Sequence, residues 1–135
     1  MTEQVLEKII FAGENERLLE TPLESYFELI ESEINFQNTA SNCWRGYVGQ
    51  WEIIDDRVYL VGFSAQIRIS GNQIHLEDLF PGFSDRVFAH WITGELKIPK
   101  GKWVNYRYER IINLHVRAGV IYAISEEIPS AKVTE

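Results

Sequence analysis

Turn-forming sequences recur along most of this chain and separate short stretches in which apolar and polar side chains alternate. The clearest of them are Gly13-Glu14-Asn15, Asp55-Asp56, Gly71-Asn72, Pro99-Lys100-Gly101 and Ala118-Gly119. Glycine and asparagine accept the positive φ angles of tight hairpin turns, and proline presets φ at the first turn position. About ten short strands are therefore predicted, as an antiparallel meander that forms a barrel or a sandwich. We favour the barrel, because closure removes the exposed edges of a sheet.

The stretch over residues 87–108, VFAHWITGELKIPKGKWVNYRY, is predicted to form the centre of the sheet. Val87–Ile92 is largely apolar in both alternating sets of side chains, a pattern typical of a strand covered on both faces. In Glu95–Ile98 charged and apolar side chains alternate, which is typical of a strand with one face in water. With a turn at Pro99–Gly101, Glu95–Tyr108 is predicted to be a hairpin.

One short amphipathic helix is predicted near the N-terminus, over Thr21–Glu31. Thr21 can cap this helix, Pro22 suits its first position, and Glu24 completes a capping box. The apolar residues recur three or four positions apart, so they form one stripe that is predicted to be buried. The stripe consists of Leu23, Tyr26, Phe27 and Ile30.

The size and composition indicate a single folded domain. The chain has 135 residues, of which 45% are hydrophobic, enough to fill one core. We expect residues 1–135 to form that domain, with 126–135 as a loose tail. The one cysteine, Cys43, excludes an internal disulfide. There is no apolar run of the roughly 20 residues that a membrane helix needs and no signal-peptide pattern at the start, so a cytoplasmic location is expected.

Charge is distributed unevenly along the chain, whose formal net charge is −7. Residues 1–35 carry nine acidic and two basic residues, which account for the whole of that charge, whereas residues 36–135 sum to zero. Within the neutral part, residues 85–117 hold seven basic and three acidic residues, a net charge of +4. The acidic N-terminal part is either a surface that attracts a basic partner or simply a solvated face.

Side chains that could carry out chemistry are few and widely spaced. Cys43 has no activating signature around it and is predicted to be an ordinary thiol. His75, His90 and His115 lack zinc-type spacing, and His90 is predicted to be a hydrogen-bonded core or interface residue. We therefore predict no catalytic residue, no metal site and no cofactor. Bases and aromatics interleave over residues 97–110, but they divide between two faces of an acidic protein, which argues against nucleic-acid binding.

Two functional hypotheses fit these observations. The leading one is a non-enzymatic interaction domain that binds a basic protein partner, in the manner of an immunity protein or an adaptor. Its partner-binding residues are predicted to be Glu20, Glu24, Glu28 and Glu31. The alternative is a small-ligand-binding barrel, or an enzyme, with a pocket at the mouth of the barrel. The residues expected to line that pocket are Trp44, Arg45, His90, Trp91 and Trp103.

Three longer motifs follow one another in the chain. They are GENERLLETPLESYF from Gly13, SNCWRGYVGQWEI from Ser41 and VFAHWITGELKIPKG from Val87. With them the chain resembles a group of small uncharacterised bacterial proteins that share this order of motifs. The resemblance covers most of residues 10–125 and implies a bacterial protein made of one domain. It implies no activity and assigns no functional residue.

Overall fold

The computed structural model of the protein describes residues 6–30, 47–66, 73–83, 85–104 and 107–128. These residues form nine strands and two short helices, so the expected class, mainly β with one short helix near the N-terminus, is confirmed. The elements are β1 (Glu7–Phe11), β2 (Glu14–Leu18), α1 (Leu23–Leu29), β3 (Tyr47–Ile54), β4 (Arg57–Gln66), β5 (Gln73–Ile74), α2 (Leu76–Leu79), β6 (Val87–Phe88), β7 (Gly94–Val104), β8 (Arg107–Arg117) and β9 (Val120–Glu127).

The strands form one mixed sheet that is not closed. Its order is β2-β1-β3-β4-β9-β8-β7, and β5 and β6 both pair with β4 beside this path. The β1–β3 pair is parallel, which adds a long-range connection to the predicted antiparallel meander. The barrel that we favoured is wrong, because no strand ladder joins the edge strands β2 and β7 in the described residues. Strand β9 continues to Glu127, beyond the start of the expected tail at residue 126.

Two-residue turns join most of the antiparallel neighbours. The predicted turns Asp55-Asp56 and Ala118-Gly119 connect β3 to β4 and β8 to β9, and all four residues have positive φ. The first hairpin turns at Ala12-Gly13, just before the predicted centre of that turn. Gly71-Asn72 lies outside the described residues, but β4 and β5 pair antiparallel on either side of it. These local connections follow the turn chemistry of the sequence.

The turn predicted at Pro99–Gly101 is wrong. Strand β7 continues through these residues, and the connection to β8 lies between Val104 and Arg107. Lys100 pairs with Arg110 and Trp103 pairs with Tyr108, so β7 contains one extra residue here, a β-bulge. Gly101 adopts a φ of 82° within it. Proline and glycine are compatible with this position because β7 is an edge strand.

Helix α1 is shorter than predicted and packs through three of the four stripe residues. Leu23 is buried, and Tyr26 and Phe27 pack against the core. Ile30 is 48% exposed, so its predicted burial is wrong; the helix ends one residue earlier, at Leu29. The predicted capping box is also wrong, because Pro22 occupies the N-cap and no side chain caps the helix.

A buried carboxylate joins the two parallel strands. Glu7 of β1 is 0% exposed, and its carboxylate accepts hydrogen bonds from Gly49 N at 2.8 Å and from Trp51 Nε1 at 3.0 Å. Burying a polar group costs free energy unless it is hydrogen-bonded, so these contacts from β3 help β1 to pack here. A side chain on Gly49 would place its Cβ 2.5 Å from Glu7 Oε1.

Replacement of Gly49 by alanine should therefore destabilise the fold. We expect Gly49→Ala to lower the free energy of unfolding by about 1–3 kcal/mol, because the fixed carboxylate and the buried indole cannot move aside. Gly62→Ala is the matched control, since the three atoms nearest to its Cβ all belong to the exposed Gln50 side chain, whose amide end can rotate away. Urea denaturation monitored by tryptophan fluorescence measures both. Equal effects of the two substitutions would contradict the role of Glu7.

Candidate functional site

An aromatic cluster centred on Trp91 brings the two helices together. The Trp91 ring stacks on Phe80 with centroids 5.8 Å apart, and it lies 4.7 Å from the ring of Tyr26 in α1. Trp91 Nε1 donates a hydrogen bond to the carbonyl oxygen of Pro22 at 3.0 Å. Because Phe80 directly follows α2, these contacts hold both helices against the same turn of the chain. Trp91 is therefore a packing residue at the base of α1.

Of the five residues expected to line a barrel-mouth pocket, the structure describes the side chains of His90 and Trp91, so the pocket itself stays a prediction. His90 is exposed rather than buried, because strand β6 ends at Phe88 and the chain turns immediately after it. The alternation that suggested a buried His90 therefore does not apply. Trp44 and Arg45 lie outside the described residues, as does the side chain of Trp103.

A shallow depression lies between the first turn of α1 and the residues that lead into β7. Its volume is about 430 Å³. The described residues that line it include three glutamates and neither lysine nor arginine. The three are Glu20, Glu24 and Glu95. We call this site the acidic depression.

Glu20 connects the end of β2 to the edge strand β7. Its Oε1 accepts a hydrogen bond from Lys97 N at 2.7 Å, and Leu19 N donates to Lys97 O at 2.9 Å. Burial raises the pKa of Glu20, the hydrogen bond from Lys97 N opposes that rise, and the nearby charge of Glu95 adds to it. Glu20, predicted from the sequence as a partner-binding residue, is half-buried and joins two elements of the fold.

The other predicted acidic residues differ in their surroundings. Glu24 is exposed and accepts a hydrogen bond from the hydroxyl of the buried Tyr47. Glu28 is exposed on α1 but does not line the acidic depression. Glu31 lies outside the described residues. Two of the four predicted binding residues, Glu20 and Glu24, thus share one concave site.

Glu95 was not predicted as a site residue, and it begins a row of polar side chains across β7, β8 and β9. Glu95 Oε1 pairs with Lys97 Nζ at 3.0 Å, and Glu95 Oε2 lies 3.5 Å from His115 Nδ1. The hydrogen bond from Lys97, followed by its charge, lowers the pKa of Glu95. Alternation in the sequence indicated that Glu95 faces water, but only the contact of the end of β2 with β7 places it beside Glu20.

The same row continues to a serine. His115 Nε2 lies 2.9 Å from Ser125 Oγ, so a carboxylate, an imidazole and a hydroxyl follow one another as they do in serine hydrolases. However, Ser125 lies on an exposed strand, and neither it nor His115 lines the acidic depression. We therefore assign this row to cross-strand stabilisation of the three strands.

A larger cleft lies between the β1–β2 hairpin and the bulge of β7. Its volume is about 690 Å³. Its described lining contains three bases, Lys8, Arg17 and Lys100, and one acid, Glu16. We call it the basic cleft. It shares no lining residue with the acidic depression.

Comparison with known proteins finds no matching family model, no matching curated protein and no matching solved structure. The resemblance to the bacterial group described above stays a prediction. Within the part of the chain that the structure describes, no group of three or more histidine, cysteine, aspartate or glutamate side chains is arranged to hold a metal ion. No helix of that part is long and apolar enough to cross a membrane.

The raised pKa of Glu20 predicts a specific pH dependence of stability. An acid whose pKa in the folded protein lies above its ordinary value of 4.5 contributes stability that is complete below that value and is lost as pH rises through the folded-state pKa. Glu20→Gln keeps an acceptor for Lys97 N–H but cannot ionise. As pH rises from about 3.5 to about 7, the wild type should lose this contribution and Glu20→Gln should not. The stability of the variant relative to the wild type should therefore increase over this range.

Denaturation by urea at the two pH values measures the difference. Glu20→Ala serves as the control: it cannot ionise either but also removes the acceptor, so it should be about 1–3 kcal/mol less stable than Glu20→Gln at both pH values. A constant difference between Glu20→Gln and the wild type across this range would show that the carboxylate is not perturbed by its surroundings.

Proposed function

We propose that the protein is a non-enzymatic interaction domain that binds a basic protein partner at the acidic depression. The observation that carries the proposal is the convergence of Glu20, Glu24 and Glu95 on one concave site whose described lining includes neither lysine nor arginine. A lysine or arginine side chain of a partner would meet these carboxylates on entering the site. The proposal therefore revises the predicted acidic face, in which Glu95 had no part.

The electrostatics of the site favour a cation. Burial raises the pKa of Glu20, so negative charge is held at this place at an energetic cost, which the hydrogen bond from Lys97 N and the charge of Lys97 partly offset. Lys97 compensates part of the charge of Glu95 from the neighbouring strand position. A positive group of a partner would be attracted by the carboxylates of the depression and would be steered towards the site over a distance of about 10 Å at ordinary salt.

The two helices that pack together through Trp91 expose a mixed surface of the kind found at protein interfaces. Neither α1 nor α2 contains lysine or arginine, and α2 adds two exposed acids, Glu77 and Asp78. At the end of α1, Leu29 and Ile30 are 63% and 48% exposed beside Glu28. Protein interfaces combine apolar contacts of this kind with a charged rim. An immunity- or adaptor-like role, as expected from size and charge, is compatible with such a surface.

Neutralising the acidic depression should slow association with the partner. Glu24→Gln/Glu95→Gln removes two charges and keeps side-chain oxygen acceptors at both positions. Glu14→Gln/Asp56→Asn makes the same change in net charge at two exposed acids elsewhere. We expect the first variant to reduce the association rate constant by roughly tenfold at low ionic strength and by much less at high ionic strength. The control should leave the rate nearly unchanged.

The partner is identified first, with a photo-activated cross-linking amino acid at Ser25, which lines the depression, and again at Asp56 as the control. Mass spectrometry identifies proteins captured at Ser25 only, and stopped-flow or biosensor kinetics with the purified partner then give the rates. A neutral or acidic partner would contradict the proposal, and so would equal effects of the two double variants.

A further inference from the structure

The basic cleft is independent of the acidic depression and has opposite charge. One wall of the cleft is the β1–β2 hairpin. The other is formed by Pro99, Lys100 and Gly101 at the bulge of β7. Lys100 Nζ pairs with Glu16 Oε2 at 2.5 Å, which ties the bulge to the hairpin. The two walls of the cleft are thus held together by a half-buried ion pair.

Two cationic side chains in the cleft have no carboxylate partner in the part of the chain that the structure describes. Among the described residues, neither Lys8 nor Arg17 forms an ion pair, whereas the charge of Lys100 is compensated by Glu16. Arg17 lies over the ring of Tyr108 with 5.7 Å between the guanidinium carbon and the ring centroid. Stacking on a ring leaves guanidinium N–H groups available for a planar anionic group such as a carboxylate, sulfonate or phosphate. The cleft therefore offers positive charge that is not used by the fold.

The rest of the lining is largely apolar. Ile10, Trp51, Val61 and Pro99 line the cleft together with the bases. A volume of about 690 Å³ falls within the usual size of small-molecule sites, which combine apolar walls with a few polar groups that fix orientation. We infer that the basic cleft binds a small organic anion, with its acidic group at Lys8 and Arg17 and its apolar body against Ile10 and Val61, whose side chains are half-buried.

Two fluorescent probes of similar shape test this inference. Anilinonaphthalene sulfonate carries an anionic group on an aromatic body, and phenylnaphthylamine has the same kind of body without the charge. Fluorescence titration should show binding of the sulfonate at least about tenfold tighter than binding of the neutral probe, because only the sulfonate can contact the two free bases. Equal affinity for the two probes, or no binding of the sulfonate, would overturn the inference.

Variants locate the bound probe. Lys8→Glu/Arg17→Glu should weaken sulfonate binding by about tenfold or more, whereas Arg57→Glu/Arg86→Glu, which reverses two exposed charges outside the cleft, should leave it within about twofold. Leu29→Ser/Ile30→Ser tests the exposed end of α1 and should also leave the affinity unchanged. Loss of binding in either of these two control variants, with circular dichroism unchanged, would place the probe elsewhere and contradict the inference. Neutralisation of the acidic depression has no bearing on this result, so the two proposals fail separately.

Discussion

The positions of both candidate surfaces depend on the hydrogen bonds that the buried carboxylate of Glu7 accepts. Glu7 holds β1 beside β3 through Gly49 N and Trp51 Nε1, in the parallel pair of the sheet. The β1–β2 hairpin is thereby fixed to the sheet, and it forms one wall of the basic cleft. Directly after β2, Leu19 and Glu20 form hydrogen bonds with the backbone of Lys97 in β7. The acidic depression begins at this point. A carboxyl group without such donors would be costly to bury at this position.

The two surfaces separate the charges of a protein whose net charge is −7. The acidic depression contains three glutamates, and the neighbouring helices lack lysine and arginine, whereas the basic cleft contains three bases and one acid. At the acidic depression Lys97 compensates the charge of Glu95, and in the basic cleft Glu16 compensates that of Lys100. The charges of Lys8 and Arg17 are not compensated by a carboxylate within the described residues. Residual charge of this kind provides specificity and steering for partners of opposite sign.

The sequence predicted those features that depend on near neighbours in the chain. The turns at Asp55-Asp56 and Ala118-Gly119 and the buried side of α1 follow from turn chemistry and from helical spacing. The β-bulge was mistaken for a turn, because Pro99 and Gly101 suit both structures. The position of Glu95 beside Glu20 could not be predicted, because it depends on the contact of β2 with β7. Burial of Glu7 likewise depends on the long-range parallel pair, which no local pattern indicates.

The most direct test of two oppositely charged binding surfaces is a nuclear magnetic resonance titration of the isotopically labelled protein with two probes in turn. One probe is a lysine-rich peptide, and the other is anilinonaphthalene sulfonate. The peptide should shift backbone amide resonances around Glu20, Glu24 and Glu95, and the sulfonate should shift those of the β1–β2 hairpin and the bulge of β7. Shifts that coincide for the two probes, or that spread evenly over the sheet, would contradict the account.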